Sequence, residues 1–278
     1  MTAVDGIRSN LVEGADGVPI HVLDAGARDA PALVLLHGFA QSAWSWVHQL
    51  VAPGGLRIVA PDLRGHGDSG RPESGYDDGL IWAADVAAVI DGLGLTRPML
   101  GGWSYGGLVV MDYLARYGEA GLSGVVTVGA ALMAGVPGAE KLFGGDFVAL
   151  VPDLMSDDAR TAVNARIALT GLLTAAPLSP TDALFHLGVG VRTPPSTCRS
   201  LLGRPVDHTA TAAAVNLPWL AIQGLEDRVV APAALDHLAE VQPAAEVQRW
   251  EGIGHAPFLE DAERFHRVLA DFVNRQRG

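Results

Sequence analysis

The chain has 278 residues, 49% of them hydrophobic and 18% charged, with a formal net charge of -12. Such a composition excludes a disordered chain and supports a substantial buried core, in one large domain or two small ones. The acidic balance excludes nonspecific attraction to nucleic acid or anionic lipid, which needs clustered Lys and Arg, and leaves a small molecule as the expected ligand.

Residues 1–30 carry Asp5, Arg8, Glu13, Asp16 and Asp24 and no apolar run long enough for a signal peptide or membrane span, so a soluble cytoplasmic chain is expected. The segment Ala32 to Leu36 is a short apolar run ending in His37-Gly38, and Arg57 to Ala60 is another, stopped by Pro61-Asp62. Both read as buried strands. From Asp78 to Leu93, Ile81, Trp82, Asp85, Val89 and Ile90 fall at helical spacing, before Gly94 and a further apolar run, Pro98 to Gly102. After Ser104 an apolar-rich helix is predicted as far as Tyr117, with Gly118 as its stop, and Gly124 to Ala130 supplies the next strand. Strand and helix in alternation imply a parallel sheet with helices on both faces.

Between about Leu132 and Asn216 the alternation breaks: no β run appears and helix starts dominate. Ser156 precedes Asp157 and Asp158 as a capped first turn, Ser179-Pro180-Thr181-Asp182 sets an N-cap, a first-turn proline and an acidic third residue in sequence, and Thr193-Pro194 repeats the cap-then-proline signal. The single cysteine, Cys198, excludes an intramolecular disulfide and reads as packing, and no Cys/His spacing marks a zinc site. Strands resume at Pro218 to Gly224 and Ala245 to Trp250, followed by a last helix with Phe265, Val268, Leu269 and Phe272 on one face. The expected organisation is an α/β core, residues 1–132 and 213–278, interrupted by a helical insertion over 133–212. Nothing in the sequence indicates an oligomeric state.

The central chemical signal is Gly102-Trp103-Ser104-Tyr105-Gly106, a G-x-S-x-G pattern. By itself the pattern is weak, but here it lies between an apolar strand and an amphipathic helix, where a sharp turn strains the serine backbone and exposes its hydroxyl. A serine hydroxyl is a poor nucleophile without a histidine to take its proton and an acid to hold that histidine. His255 stands in Gly252-Ile253-Gly254-His255-Ala256-Pro257, between the last strand and the last helix, at the sheet edge where open α/β sheets place their sites. Asp227 lies three residues past Gly224 at the same edge; its neighbour Glu226 is the alternative, though adjacent loop side chains usually point apart. An oxyanion hole needs backbone N–H donors, and Tyr105, directly after the serine, and Phe39, after the strand Ala32 to Leu36, are the candidates.

On these residues the sequence resembles the α/β-hydrolase superfamily, in particular its cofactor-free haloperoxidase-like and esterase branch. His37-Gly38-Phe39 with Trp46 downstream looks like that branch's H-G-[FW] segment, and Asp62-Leu63-Arg64-Gly65-His66-Gly67-Asp68-Ser69 resembles its D-x-R-G-x-G-x-S loop. Gly224 to Asp227 and Gly254-His255 complete the likeness. The resemblance implies an α/β-hydrolase fold, a mostly parallel eight-stranded sheet flanked by helices with a helical lid, working without metal or organic cofactor. It makes Asp62, Arg64, His66 and Ser69 a structural loop rather than a metal or catalytic set. A serine at position 104 separates the chain from haloalkane dehalogenases and epoxide hydrolases, whose pattern has aspartate there, and favours acyl chemistry. Carboxylesterase, lactonase, thioesterase, carbon–carbon bond hydrolase and perhydrolase activities, the last as in cofactor-free haloperoxidases, all remain compatible. A small-molecule receptor retaining the fold is the reading from another class.

An insertion leaving the carboxyl edge should roof Ser104, so residues 133–212 are expected to act as the lid that sets the substrate. Its apolar residues Met133, Phe143, Phe147 and Phe185 are the candidate substrate contacts, which suits an uncharged, largely apolar acyl or alcohol group.

Overall fold

The computed structural model describes residues 6–276. A hairpin of β1 (Ile7–Glu13) and β2 (Pro19–Ala25) leads into β3 (Ala32–Leu36), α1 (Val47–Val51), β4 (Arg57–Pro61), α2 (Gly79–Gly92), β5 (Met99–Trp103), α3 (Tyr105–Tyr117) and β6 (Gly124–Val128). The chain then runs through β7 (Met133–Ala134), α4 (Gly145–Leu154), α5 (Ala159–Thr170), α6 (Pro180–Gly190), α7 (Pro195–Leu202) and β8 (Val206–Asp207). It returns to the sheet by α8 (Thr209–Ala213), β9 (Trp219–Gly224), α9 (Ala233–Val241), β10 (Glu246–Trp250), α10 (Pro257–Glu260) and α11 (Ala262–Arg275).

Eight strands pair in the order β1-β2-β4-β3-β5-β6-β9-β10, and in this sheet only β2 runs against both its neighbours. The central strands are apolar on both sides because both faces are covered. Val34, Leu36, Leu100 and Val125 enter one core layer beneath α2, α3 and α9, whereas Leu33, Leu35, Val126 and Val128 enter the other beneath α1 and α11. A strand whose successive side chains point to opposite faces must be apolar throughout when helices lie on each.

Local chemistry explains several element ends. Asp78 caps α2 by accepting from the Leu80 N–H at 2.8 Å, Gly118 ends α3 at φ 69°, and Ser179 caps α6 by accepting from the Asp182 N–H at 3.1 Å. Two helix starts differ from expectation. Ser156 spends its oxygen on the Asp158 N–H, so Asp158 caps α5 through the Thr161 N–H at 2.8 Å. In α7 the cap position falls to Pro194, and Pro195 is the first helical residue. The insertion also contains strands that the sequence did not announce: β7 and β8 form a two-stranded antiparallel ribbon at its neck, too short to carry a two-residue period. The expected core boundary at 213 falls inside α8, which packs on α3 and α9.

Strands β3, β5, β6, β9 and β10 are parallel and end at one edge. The chain leaves β3 for β4 on one side and later returns to β5 on the other, and Ser104 directly follows β5 at that switch point. The turn is possible only because glycines stand where backbones meet. A Cβ on Gly102 would collide with Gly106 O, and one on Gly106 would lie 2.5 Å from Leu36 O. These obstacles are main chain and cannot swing aside, so Gly106→Ala is expected to cost about 1–3 kcal/mol. Thermal unfolding should show a Tm lower by roughly 2–5 °C; an unchanged Tm would contradict this account of the turn.

Candidate active site

Ser104 has φ 54° and ψ -120°, a conformation side chains other than glycine rarely adopt. It is held there from both sides. Its N–H donates to Val128 O at 2.9 Å and its carbonyl accepts from the Gly107 N–H at 2.9 Å. The strain turns the side chain out of the strand-to-helix bend, so that Ser104 lines a cavity of about 320 Å³ together with His255.

His255 is buried, and its Nδ1 lies 2.7 Å from Asp227 Oδ2. Asp227 is an acceptor there, so in the neutral imidazole the proton sits on Nδ1 and the lone pair on Nε2. The carboxylate is itself fixed by three more donors: the Val229 and Val230 N–H groups reach Oδ1 at 2.8 and 2.9 Å, and Gln223 Nε2 reaches Oδ2 at 2.8 Å. Glu226, by contrast, is exposed and accepts from the Ile253 N–H at 3.1 Å. The two loops approach closely because a Cβ on Gly224 would collide with Gly254 O. Trp103 adds a second brace, donating from Nε1 to His255 O at 2.8 Å with its ring 5.2 Å from the imidazole. Neither Gln223 nor Trp103 was singled out by sequence reasoning. The signal for Gln223 was a lone amide in the otherwise apolar strand Trp219–Gly224.

Gly38, Phe39 and Tyr105 line the same cavity. Tyr105 is the first residue of α3, where an N–H has no helical acceptor. The loop carrying Phe39 is fastened by His37, fully buried, whose Nε2 accepts from the Leu63 N–H at 2.9 Å while Nδ1–H donates to Gly38 O at 2.8 Å. Both ring nitrogens are thus committed to backbone, and burial holds the His37 pKa below its ordinary value.

The cavity wall away from Ser104 comes largely from the insertion and, among the described residues, carries no Asp, Glu, Lys or Arg. Phe143 and Phe147 stand in it, their rings 6.0 Å apart, with Val151, Leu169 and Leu202 beside them. Two expected substrate contacts are not there. Phe185 is 40% exposed on α6, with its ring against His186, because apolarity alone does not say which way a helix face points. Met133 is half-buried in β7 and packs into the core clusters on either side, while its neighbours Ala131 and Ala134 reach the cavity.

The sequence profile described as "alpha/beta hydrolase fold" matches residues 31–262. The chain belongs to the α/β-hydrolase family. Its structure superposes on that of an esterase, RhEst1 from Rhodococcus sp. ECU1013, with a TM-score of 0.90 and 38% identity over 97% of this chain and 98% of that one. The AB hydrolase superfamily protein YisY of Bacillus subtilis is 27% identical over 95% of this chain and 99% of its own length. Epoxide hydrolase A of Mycobacterium tuberculosis is 36% identical over 111 residues only, 38% of this chain, which spans 34% of that relative's length.

In this α/β-hydrolase the loop from Asp62 to Ser69 is a buried fastening rather than part of the cavity. Asp62 accepts from the Ala43 and Asp68 N–H groups at 2.7 and 2.9 Å and from His21 Nδ1 at 2.8 Å; burial works against its charge, yet these donors hold its pKa below the usual range. The same contact raises His21. Asp62, His21 and Asp68 lie close enough together to suit a cation geometrically, but Arg192 already pairs with Asp68 at 2.6 Å. Arg64 forms a two-pronged pair with Asp85 at 2.6 and 2.8 Å. His66 is fully buried, donates from Nδ1 to Arg64 O at 2.9 Å, and is pushed down by burial to about 3. Its depressed pKa makes protonation favour the unfolded chain, so its contribution to stability is intact above about 6.5 and is lost as the pH falls toward 3. His66→Asn is expected to keep the Nδ1-type donor while making stability less steep in pH by about 1 kcal/mol per pH unit over that window. Denaturant unfolding of the two proteins between pH 6.5 and 4.5 reads the difference, and parallel curves would contradict it.

Proposed function

We propose that the chain is a serine hydrolase that cleaves an ester, or a related acyl bond, of a small and largely apolar substrate through an acyl-enzyme. The observation that carries this reading is the convergence on one uncharged cavity of a strained, outward-turned serine and a histidine whose tautomer is set by a buried carboxylate.

Ser104 Oγ attacks the carbonyl carbon as His255 Nε2 takes its proton, and Asp227 stabilises the resulting imidazolium. The oxyanion is received by the N–H groups of Phe39 and Tyr105. His255 then gives its proton to the departing alcohol, and the leaving bond breaks to yield the acyl-serine. Water, deprotonated by the same Nε2, releases the acid and restores Ser104. The residues 133–212 serve as the lid: Phe143 and Phe147 face the acyl or alcohol group, and an apolar wall that would leave a charged substrate unsolvated selects against anions. A serine at the elbow separates this chemistry from that expected of the partly matching epoxide hydrolase, and the similarity to an esterase over almost the full length supports the ester reading.

Steady-state kinetics on p-nitrophenyl esters of increasing acyl length test the proposal. Ser104→Ala should lose about 10⁴ to 10⁶-fold in kcat, and Asp227→Asn about 10³ to 10⁴-fold, with Glu226→Gln close to wild type. Phe143→Ala and Phe147→Ala should alter the chain-length ranking by about 1–3 kcal/mol, and Phe185→Ala should leave it alone. Full activity in Ser104→Ala, or a preference for anionic substrates, would contradict the proposal.

A further inference from the structure

Arg166, on α5 of the insertion, is 4% exposed, yet among the described residues no carboxylate pairs with it. Its donors go to neutral acceptors: Nη1 to Gly190 O at 2.6 Å, and Nη2 to Thr193 O at 3.3 Å and Cys198 Sγ at 2.8 Å, while Nε is buried with no partner. The thiol does not neutralise the charge, because burial raises the Cys198 pKa against the pull of the guanidinium. A buried cation without an anion costs several kcal/mol, so its position calls for a reason.

The reason lies on its remaining face. The guanidinium carbon sits 5.7 Å from the centre of the Phe39 ring, within cation–π range. The next two residues of the same loop are also touched by the insertion. A Cβ on Gly190, whose carbonyl Arg166 holds, would come 3.3 Å from Ala40 O, and His186 Nδ1 lies 3.1 Å from Gln41 Oε1. Between them Ala40 has φ 51°, a strained conformation that persists only when its surroundings over-determine it. Phe39 and Gln41 in the loop that presents the Phe39 N–H are therefore each held by a side chain of the insertion, and Gly190 closes on Ala40 between them.

From this juxtaposition we infer that Arg166 is a positioning residue: through the Phe39 ring and the Gly190 carbonyl it holds the Phe39 amide where the oxyanion forms, so that the insertion sets the rate of the chemical step as well as the choice of substrate. The inference rests on the serine-hydrolase reading above. The developing oxyanion, rather than the neutral ground-state ester, is what a displaced amide fails to stabilise, so the effect belongs in kcat.

The test compares wild type with Arg166→Met, Arg166→Lys and Gly190→Ala on one short p-nitrophenyl ester, recording kcat, KM and Tm. Arg166→Met should lower kcat by about 10- to 100-fold with KM within about threefold of wild type, somewhat less than deletion of an oxyanion donor. Arg166→Lys, which keeps the charge but not the forked donors, should recover part of the loss. Gly190→Ala favours the helix by itself but presses its methyl on the Ala40 carbonyl, so it should lower kcat without lowering Tm; it decides the matter if Arg166→Met does not fold. Losses confined to KM or Tm, or kcat in Gly190→Ala and Arg166→Lys within twofold of wild type, overturn the inference alone. Wild-type protein without Ser104-dependent ester hydrolysis overturns the reading beneath it.

Discussion

The backbone of Ser104, held at positive φ in the bend from β5 to α3, is the constraint on which the rest of the site depends. An exposed hydroxyl at the end of a buried strand requires strand and helix to approach more closely than side chains permit, and Gly102 and Gly106 supply the room. The neighbouring strands then become obligatory neighbours. Val128 at the end of β6 accepts the Ser104 N–H, and the β3 carbonyl of Leu36 closes on Gly106. Strain of this kind survives only in a stiff frame, which the doubly covered sheet provides.

Charge is kept out of the cavity and spent behind it. The pairs Arg64 with Asp85 and Arg57 with Asp24 are buried away from the cavity, as is the cluster of Arg204 and His208 on Asp112, and each ties segments distant in sequence. The last of these fastens the neck of the insertion to α3, the helix that begins with Tyr105, since Arg204 and His208 flank β8 and Asp112 lies on α3. Pairs of this sort add little net stability, but breaking one leaves an unpaired buried charge, which makes them good fixings for loop geometry. What remains lining the cavity is apolar wall, the Ser104 hydroxyl, the His255 imidazole and backbone N–H groups, a surrounding in which the hydrogen bonds made to the oxyanion of the proposed reaction would count for more than they would in water.

Much of this was legible in the sequence, for identifiable reasons. Parallel strands covered on both faces are continuous apolar runs, so Ala32 to Leu36, Arg57 to Ala60 and Pro218 to Gly224 could be placed within a residue or so. Ser104 directly follows such a strand, Asp227 and His255 lie in the turns that follow β9 and β10, and the structure brings the three to one place. The insertion was read less well. Its helices announce themselves by caps and prolines, but which face of a helix turns to the cavity depends on tertiary packing, so Phe143 and Phe147 line the wall while Phe185 faces away and Met133 is taken up by the core. A two-residue ribbon has no period, and the positive φ of Ala40 has no glycine to betray it. Arg166 could not have been found at all from its neighbours in sequence, because its significance is the lack of a counter-charge in space.

The claim at the centre is that Ser104 becomes covalently acylated during turnover. Rapid-quench mass spectrometry of the protein mixed with a slowly deacylating ester measures it directly. The account predicts a mass increase equal to the acyl group, mapped to the peptide containing Ser104 and formed no more slowly than steady-state turnover. Turnover with no acyl adduct, or an adduct on another residue, would contradict it.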